Sequence, residues 1–279
     1  MTGVVDVGGG LRGALGAGVF DWCLDHNVSF DYYIGVSAGS ANVAAFVAGQ
    51  KGRNLKFYSE YCYRSAYMSF KNYIRTGSYL DLEYIYGEAL TNSRGEYPLD
   101  YEMLEKADKP VKIVATDAVN GKPVYFDLRD MDKDDYGAIK ASSCVPVVNK
   151  PYYWKGTPYY DGGISDPIPY EKAFEAGCDK VVIILTRPKD YERSAKKDIR
   201  MAKLLKKNPV VKKVIADRYK IYNEQLCIAK RYENMGKVLI IAPDDIMGMS
   251  TFKKDRDKIM ALYGKGTEKA ESIMGYIMD

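Results

Sequence analysis

A serine between two glycines is the first feature of the sequence that could carry out chemistry. Gly35-Val36-Ser37-Ala38-Gly39 follows the strand-like run Tyr32–Ile34 and precedes the helix-like run Ser40–Ala48. A tight strand–turn–helix connection raises a serine hydroxyl at the carboxyl edge of a sheet, beside the amino end of a helix. The pattern predicts that Ser37 is a nucleophile and that Gly35 and Gly39 permit the turn. A serine in an unrelated turn is the alternative.

A glycine-rich turn follows the first strand-like run. Asp6-Val7-Gly8-Gly9-Gly10-Leu11-Arg12-Gly13 leads from a strand into a helix, and consecutive glycines let several backbone N–H groups approach one anion. The same spacing matches a dinucleotide-binding fingerprint, which also requires an acidic residue at the end of the second strand, about 20 residues later. That strand ends in the serine motif instead. The sequence therefore favours an anion-binding turn and predicts no nucleotide cofactor.

The single histidine is badly placed to act as the base for Ser37. A helix from Gly13 to His26 places His26 about 20 Å from the sheet edge that carries Ser37, because the rise is about 1.5 Å per residue. His26 is therefore interpreted as a packing or surface residue. One histidine also disfavours a histidine metal centre, and no calcium-loop pattern is present, so we expect no metal.

A carboxylate is the better candidate for the base. Asp161 ends the strand-like stretch Tyr152–Tyr160, and the following Gly162 and Gly163 leave room for a substrate or another backbone segment. Asp117 is a rival, although the turn residues Asn120-Gly121 follow it, and Asp166 before Pro167 is expected to shape a loop. Because an ordinary aspartate is a weak base, Asp161 would need a pKa raised by burial, together with donors for the oxyanion.

Alternating strands and helices must position these groups. Apolar, β-branched runs predict strands at Val4–Val7, Tyr32–Gly35, Val111–Ala115, Pro123–Phe126, Tyr152–Tyr160, Lys180–Leu185 and Lys237–Ile241. Helical patterns cover Gly13–His26, Ala38–Ala48, Asp81–Leu90, Tyr101–Lys106, Pro169–Ala176 and Pro209–Glu233. The order predicts an α/β fold, a mostly parallel sheet with helices on both faces. A turn at Lys155-Gly156 indicates that part of the sheet is antiparallel.

Composition sets the class of protein. The chain has 279 residues, 47% of them hydrophobic and 28% charged, with five cysteines that form no C-x-x-C pair. No apolar run is long enough to span a membrane, and the first residues do not resemble a signal peptide. These features predict a soluble, cytoplasmic protein, and the lack of a linker predicts one domain over 1–279. Within it we distinguish a motif-bearing core at 1–176, a basic helical segment at 187–233 and a C-terminal strand and helices at 237–279.

Two segments allow more than one interpretation. Residues 187–220 contain thirteen Lys and Arg against four acids, whereas the whole chain carries a net charge of +4. This stretch is either a solvated helix face or a contact for anionic membrane; nucleic acid is not expected, because no recognition motif accompanies it. Residues 57–97 contain eleven tyrosines and phenylalanines, which either pack as an ordinary helical cover or line an acyl channel.

Together the motifs identify a family resemblance. The glycine turn Gly8–Gly13, the serine motif Gly35–Gly39 and Asp161-Gly162-Gly163 resemble, in this order and spacing, the patatin-like phospholipases. Ala141-Ser142-Ser143-Cys144-Val145-Pro146 is similar to that family's A-S-x-x-x-P segment. The resemblance runs from the first strand to about residue 176, and more loosely through Lys237–Pro243 to the end. Segment 57–97 and the part after Arg187 match poorly.

The resemblance implies a three-layer α/β/α fold and a Ser–Asp dyad of Ser37 and Asp161. Backbone amides of Gly8, Gly9 and Gly10 would form the oxyanion hole, and the substrates would be acyl esters of lipids. We expect Arg12 to fix the turn or to meet a phosphate headgroup. Acyl transfer to an alcohol and a non-catalytic lipid-binding module remain the alternatives to hydrolysis.

Overall fold

The chain, seen in a computed structural model, is described at residues 1–205 and 207–278. Within these residues eight strands form one sheet: β1 (Thr2–Asp6), β2 (Tyr32–Val36), β3 (Val111–Asp117), β4 (Pro123–Asp127), β5 (Tyr152–Trp154), β6 (Thr157–Asp161), β7 (Lys180–Ile184) and β8 (Val238–Ile241). The predicted strands are confirmed. The predicted turn at Lys155-Gly156 divides the fifth of them into β5 and β6.

Eleven α-helices connect and cover the strands in the described part of the chain. They are α1 (Ala14–Asp25), α2 (Ala38–Val47), α3 (Arg53–Ser59), α4 (Phe70–Thr76), α5 (Leu82–Tyr86), α6 (Tyr101–Glu105), α7 (Gly137–Ser142), α8 (Tyr170–Glu175), α9 (Ala195–Leu204), α10 (Pro209–Asn234) and α11 (Arg256–Met278). The helix predicted over Asp81–Leu90 is too long, because α5 ends at Tyr86 and the chain leaves the helical conformation at Gly87.

The sheet is mixed, with the order β5-β6-β3-β2-β1-β7-β8 and β4 beside β3. Strands β3, β2, β1, β7 and β8 are parallel to their neighbours in this order. Strands β4 and β6 both pair with β3 in the antiparallel sense, as β5 does with β6. The α/β fold and the antiparallel part of the sheet, both predicted from the sequence, are thus confirmed.

Neighbouring residues of β1 show how the sheet divides two cores. Val4 packs with residues of α1, α2 and α11 on one face, whereas Val5 packs with residues of α8 and α10 on the other. Successive strand side chains point to opposite faces, so a strand that is buried on both sides is apolar at every position. This explains the continuous apolar runs in the sequence. No helix in the described ranges is both long and apolar enough to cross a bilayer.

Close helix packing on the first face predicts a stability effect at a glycine of α11. A Cβ at Gly266 of α11 would overlap the Leu15 carbonyl oxygen of α1. We expect Gly266→Ala to lower the free energy of unfolding by about 1–3 kcal/mol because overpacking forces the helices apart. Gly264→Ala is the matched control: this site in the same helix faces open space, and alanine there should stabilise the helix by up to about 1 kcal/mol. Equal urea-unfolding midpoints for both variants would contradict the close packing.

Candidate active site

The register of β3 brings the ends of two other strands together. Val36, the last residue of β2, lies opposite Val114 of β3, and Asp161, the last residue of β6, lies opposite the next residue, Ala115. At these positions β4 occupies the other side of β3. Consequently β2 and β6 pair with the same side of β3, one after the other along that strand. Ser37, the residue that follows β2, therefore lies next to Asp161.

Ser37 occupies a sharp turn between β2 and α2. Its backbone has φ 56° and ψ −128°, a conformation with positive φ that non-glycine residues adopt rarely and at an energetic cost. Two hydrogen bonds hold the turn: the Ser37 amide donates to Ser142 Oγ at 2.8 Å, and Ser40 Oγ donates to the Ser37 carbonyl at 2.6 Å. Ser142 in turn donates to the Val114 carbonyl at 2.6 Å. The turn is therefore fastened to β3 by a buried hydroxyl.

The glycine-rich turn after β1 lies against the Ser37 turn. A Cβ at Gly8, whose φ is 63°, would overlap the Val36 carbonyl oxygen, and a Cβ at Gly39 would overlap the Asp6 carbonyl oxygen. Larger residues at either position would push the two turns apart. The glycines of both motifs thus allow the anion-binding turn and the serine to share one site.

Asp6 holds the glycine turn from below. Its carboxylate accepts hydrogen bonds from the Gly8 amide at 2.9 Å and from Asn42 Nδ2 of α2 at 2.8 Å. Burial raises the pKa of Asp6 to about 6, while these two donors oppose that rise. The Gly8 amide is thereby engaged, whereas the amides of Gly9 and Gly10 donate to no group within the described residues. Those two remain available to an anion in the cavity.

Asp161 is buried and faces Ser37. Asp161 is the last residue of β6 and is 7% exposed. Its carboxylate accepts a hydrogen bond from the Gly163 amide at 2.8 Å. Burial raises the pKa of Asp161; the charge of Arg218 opposes this most, followed by the hydrogen-bonding interaction with Ser37. A carboxylate with a raised pKa in contact with a hydroxyl is a better proton acceptor than an exposed aspartate.

One cavity of about 380 Å³ gathers most of the predicted site residues. Its lining includes Gly8, Gly9, Gly10, Arg12, Ser37, Asp161 and Gly163. Gly35, Gly39 and Gly162 do not line it but pack against neighbouring backbone. A Cβ at Gly162, for example, would overlap the Val114 carbonyl oxygen. Arg12 both lines the cavity and donates to the Thr186 carbonyl at 3.2 Å, so it fixes the turn while its charge faces the site.

The groups that the sequence argument set aside lie away from this cavity. His26 is exposed at the end of α1, where it stacks on Trp22. Asp117 accepts the Val119 amide at 2.7 Å and thus closes a turn. Asp166 is bound by Tyr125 and by Gln225 Nε2. None of the three is among the residues that line the cavity.

The tyrosine-rich segment 57–97 packs mostly as a helical cover. Most of its rings are packed in the cover of the first face, and Tyr58, Tyr61 and Tyr86 are nearly inaccessible. A narrow cavity of about 30 Å³ nevertheless lies beside Ser37, lined on one side by Phe57, Tyr67 and Tyr86. The segment therefore supplies an apolar recess next to the serine.

The basic stretch 187–220 has one part in the large cavity and another part on the outer surface. Arg187, Arg193 and Arg218 line the large cavity, and sequence reasoning did not assign them to the site. Lys197 and Leu204 of α9 also border this cavity. Most other lysines of α9 and α10 are exposed on the surface, where Ile199 is 42% exposed. Helical spacing alone cannot tell which basic residues line the cavity, because it identifies the buried face of a helix but not the part of the protein against which that face packs.

Comparisons with known proteins agree with this architecture. A family model for patatin-like phospholipase matches residues 7–174, and a model for a domain of unknown function (DUF6363) matches residues 208–279. The uncharacterized protein YjjU of Escherichia coli is 30% identical over 186 residues, 65% of this chain and 50% of that protein. An uncharacterized NTE family protein of Mycobacterium bovis is 33% identical over 81 residues, 29% of this chain and 21% of that protein.

A solved structure extends the likeness of the fold to nearly the whole chain. VipD from Legionella pneumophila aligns with a TM-score of 0.54 and 14% identity, over 98% of this chain and 66% of that one. The chain spans about half the length of YjjU. Because the first family model covers more than half of the 279 residues and its motifs lie together around one cavity, the chain belongs to the patatin-like phospholipase family.

Proposed function

We propose that the chain is a serine acyl-ester hydrolase of lipids that acts through an acyl-enzyme. The observation that carries this proposal is the placement of Ser37, Asp161 and the unengaged amides of Gly9 and Gly10 around one cavity. Membership of a phospholipase family supports the lipid class of substrate. This dyad needs no histidine, in keeping with the position of His26.

In the first half of the reaction, Ser37 Oγ attacks the ester carbonyl carbon while Asp161 accepts the hydroxyl proton. The amides of Gly9 and Gly10 donate to the oxyanion, and the amino end of α2 favours the same negative charge. Gly8 contributes through the shape of the turn, since its own amide is bound to Asp6. The tetrahedral intermediate then expels the alcohol, which takes the proton from Asp161.

In the second half, a water molecule attacks the acyl-enzyme and Asp161 accepts its proton. Ser37 leaves with that proton and the carboxylic acid is released. The apolar recess formed by Phe57, Tyr67 and Tyr86 holds the beginning of the acyl chain in this proposal. An added alcohol that replaced water as the acceptor would produce a new ester, so product analysis with glycerol distinguishes acyl transfer from hydrolysis.

Mapping the adduct of an alkyl fluorophosphonate tests the nucleophile directly. We expect one adduct, on Ser37, that forms faster with a long alkyl chain than with a short one, because the longer chain extends past the recess to further apolar residues at the large cavity, such as Val147 and Phe252. Mass spectrometry of the digested protein identifies the labelled residue. Absence of an adduct on Ser37 with either reagent would remove the hydrolase and favour a non-catalytic lipid-binding module.

We further propose peripheral contact with anionic membrane through 187–220. The exposed Lys196 and Lys203 lie on the same helix, α9, as the exposed Ile199, and apolar side chains beside cationic ones suit the surface of an anionic bilayer. Sedimentation with vesicles tests this contact. Equal binding to anionic and zwitterionic vesicles at low salt would contradict it.

A further inference from the structure

Positive charge is concentrated in the cavity that contains Ser37. Its lining carries five cationic side chains, whereas Asp161 is the one carboxylate found among its described lining residues. The cations are Arg12 of the glycine turn, Arg187 after β7, Arg193 before α9, Lys197 of α9 and Arg218 of α10. Three separate parts of the chain therefore direct cations toward one site.

Four of these five cations form no ion pair among the described residues, and three of the four are arginines that are buried or half-buried. Arg193 is neutralised by Asp198, with both bonds at 2.7 Å. By contrast, no ion pair within residues 1–205 and 207–278 involves Arg12, Arg187 or Arg218. A charged group that is buried without a partner is costly, and charged groups in such environments cluster at functional sites.

The positions of these arginines point to the cavity as the source of the missing anion, since Arg12 is buried and Arg187 and Arg218 are half-buried in its lining. Arg12 is 6% exposed and donates only to neutral oxygens, the Thr186 carbonyl and Thr251 Oγ1. Arg218 Nε is buried with no hydrogen-bond partner among the described groups. Arg187 stacks on the Tyr191 ring at 4.4 Å, which leaves the N–H donors in the plane of its guanidinium available.

The guanidinium groups of Arg12 and Arg218 stay cationic at neutral pH. Burial and the charge of Arg187 lower the pKa of Arg12 to about 9. Burial and the charge of Arg193 lower the pKa of Arg218 to about 10. Asp161 offsets at most one of the three unpaired arginine charges, so a charge of about two remains on the arginines to be matched by a ligand. A phosphate monoester carries about −1.5 to −2 at neutral pH.

We propose that Arg12, Arg187 and Arg218 form a subsite for a phosphate group on the alcohol part of the ester substrate. This inference rests on the proposed function and narrows its substrate to acyl esters that bear an exposed phosphate. Guanidinium groups bind phosphate oxygens through paired, charge-assisted hydrogen bonds. A choline-capped headgroup would bring a quaternary ammonium toward the same arginines, so the subsite discriminates against it.

The location of the subsite fits an ester bound at Ser37. Arg218 Nη2 lies 3.2 Å from the position that a Cβ would take at Gly163, beside Asp161, and Arg12 follows the turn that contains Gly9 and Gly10. The phosphate would thus lie on the cationic side of the cavity and the acyl chain in the recess of Phe57 and Tyr67. Arg218 lies within 208–279, and Arg187 lies between the two matched ranges, so two of the three arginines lie outside the patatin-like match.

Three soluble esters with one hexanoyl chain test the subsite without a lipid surface. The alcohol parts are glycerol 3-phosphate, glycerophosphocholine and glycerol. We expect kcat/KM to be at least about tenfold higher for the phosphate monoester than for the other two. Arg187→Gln and Arg218→Gln should each reduce the phosphate-to-glycerol ratio about tenfold, the effect of losing one charge-assisted bond pair. Lys212→Gln, an equal loss of charge on the exposed side of α10, should leave the ratio unchanged.

A binding measurement keeps the inference testable apart from catalysis. Calorimetric titration of glycerol 3-phosphate into the parent protein should show saturable binding that weakens in Arg187→Gln; inorganic phosphate should bind more weakly. Equal binding of inorganic phosphate would overturn headgroup recognition in favour of a free-phosphate site. If Ser37 is labelled by the fluorophosphonate but the three esters are hydrolysed equally, the phosphate subsite is wrong and the hydrolase stands. If phosphate esters bind but Ser37 is unreactive, the hydrolase is wrong and the phosphate subsite stands.

Discussion

Replacing Ser37 with alanine is expected to reduce ester hydrolysis by about 10³-fold or more while the protein remains folded. The attacking oxygen is removed, and the other groups around the cavity cannot form the acyl-enzyme. Loss of the hydroxyl should leave the fold stable, because the hydrogen bonds that hold this turn use the Ser37 amide and carbonyl. Steady-state rates on a chromogenic ester, together with the unfolding midpoint, check both parts.

A second serine provides the control for this substitution. Ser29 is exposed in the loop before β2, at the opposite edge of the sheet, so Ser29→Ala should retain the parent rate. If Ser37→Ala kept more than a tenth of the parent activity, Ser37 could not be the nucleophile. The same variant should lose its fluorophosphonate adduct.

Replacing Asp161 with asparagine is expected to reduce kcat/KM by about 10²–10⁴-fold, the range for removal of a positioned base. Asparagine can still accept the Gly163 amide through its carbonyl oxygen, so the local turn should persist. Asp117→Asn is the matched control, since that carboxylate closes a turn outside the cavity. A fully active Asp161→Asn with an inactive Asp117→Asn would transfer the base to Asp117.

The pH dependence of the parent enzyme should report the same carboxylate. Burial raises the pKa of Asp161, and the base accepts a proton only when it is ionised. We therefore expect kcat/KM to rise with pH through a value above that of an ordinary aspartate and to be lost below it. An acidic limb at the ordinary value would mean that Asp161 is more solvated in the working enzyme than in this structure.

The strands were predictable because a strand buried on both faces leaves a continuous apolar run, as in Val181–Ile184 of β7. The glycine and serine motifs were visible for a related reason: each glycine lies where a neighbouring backbone leaves no room for a side chain. Local sequence therefore encodes both the sheet and the two turns at its edge. The proximity of Ser37 and Asp161 depends additionally on the register of β3, which the motifs alone do not specify.

The site contacts of Ser142 and Arg218 could not be predicted from the sequence, because they depend on how distant elements pack together. Ser142 stood in a recognised motif, yet its bond to the Ser37 amide depends on how α7 packs against β3. Arg218 occupies the same helical face as the buried Ile215 and Tyr222, and a helical pattern would predict only packing there. That this face points toward Ser37 follows from the way α10 packs against the sheet. The local sequence pattern does not indicate that packing.

The pairing of β1 has a consequence for the growing polypeptide. Residue 3 pairs with residue 32 on one side and with residue 181 on the other, so one side of β1 has no native partner until most of the chain has left the ribosome. An apolar strand with an open edge invites pairing with other chains, and contacts between distant residues form slowly. Synthesis of this protein therefore includes a long interval in which the nascent chain needs protection from aggregation.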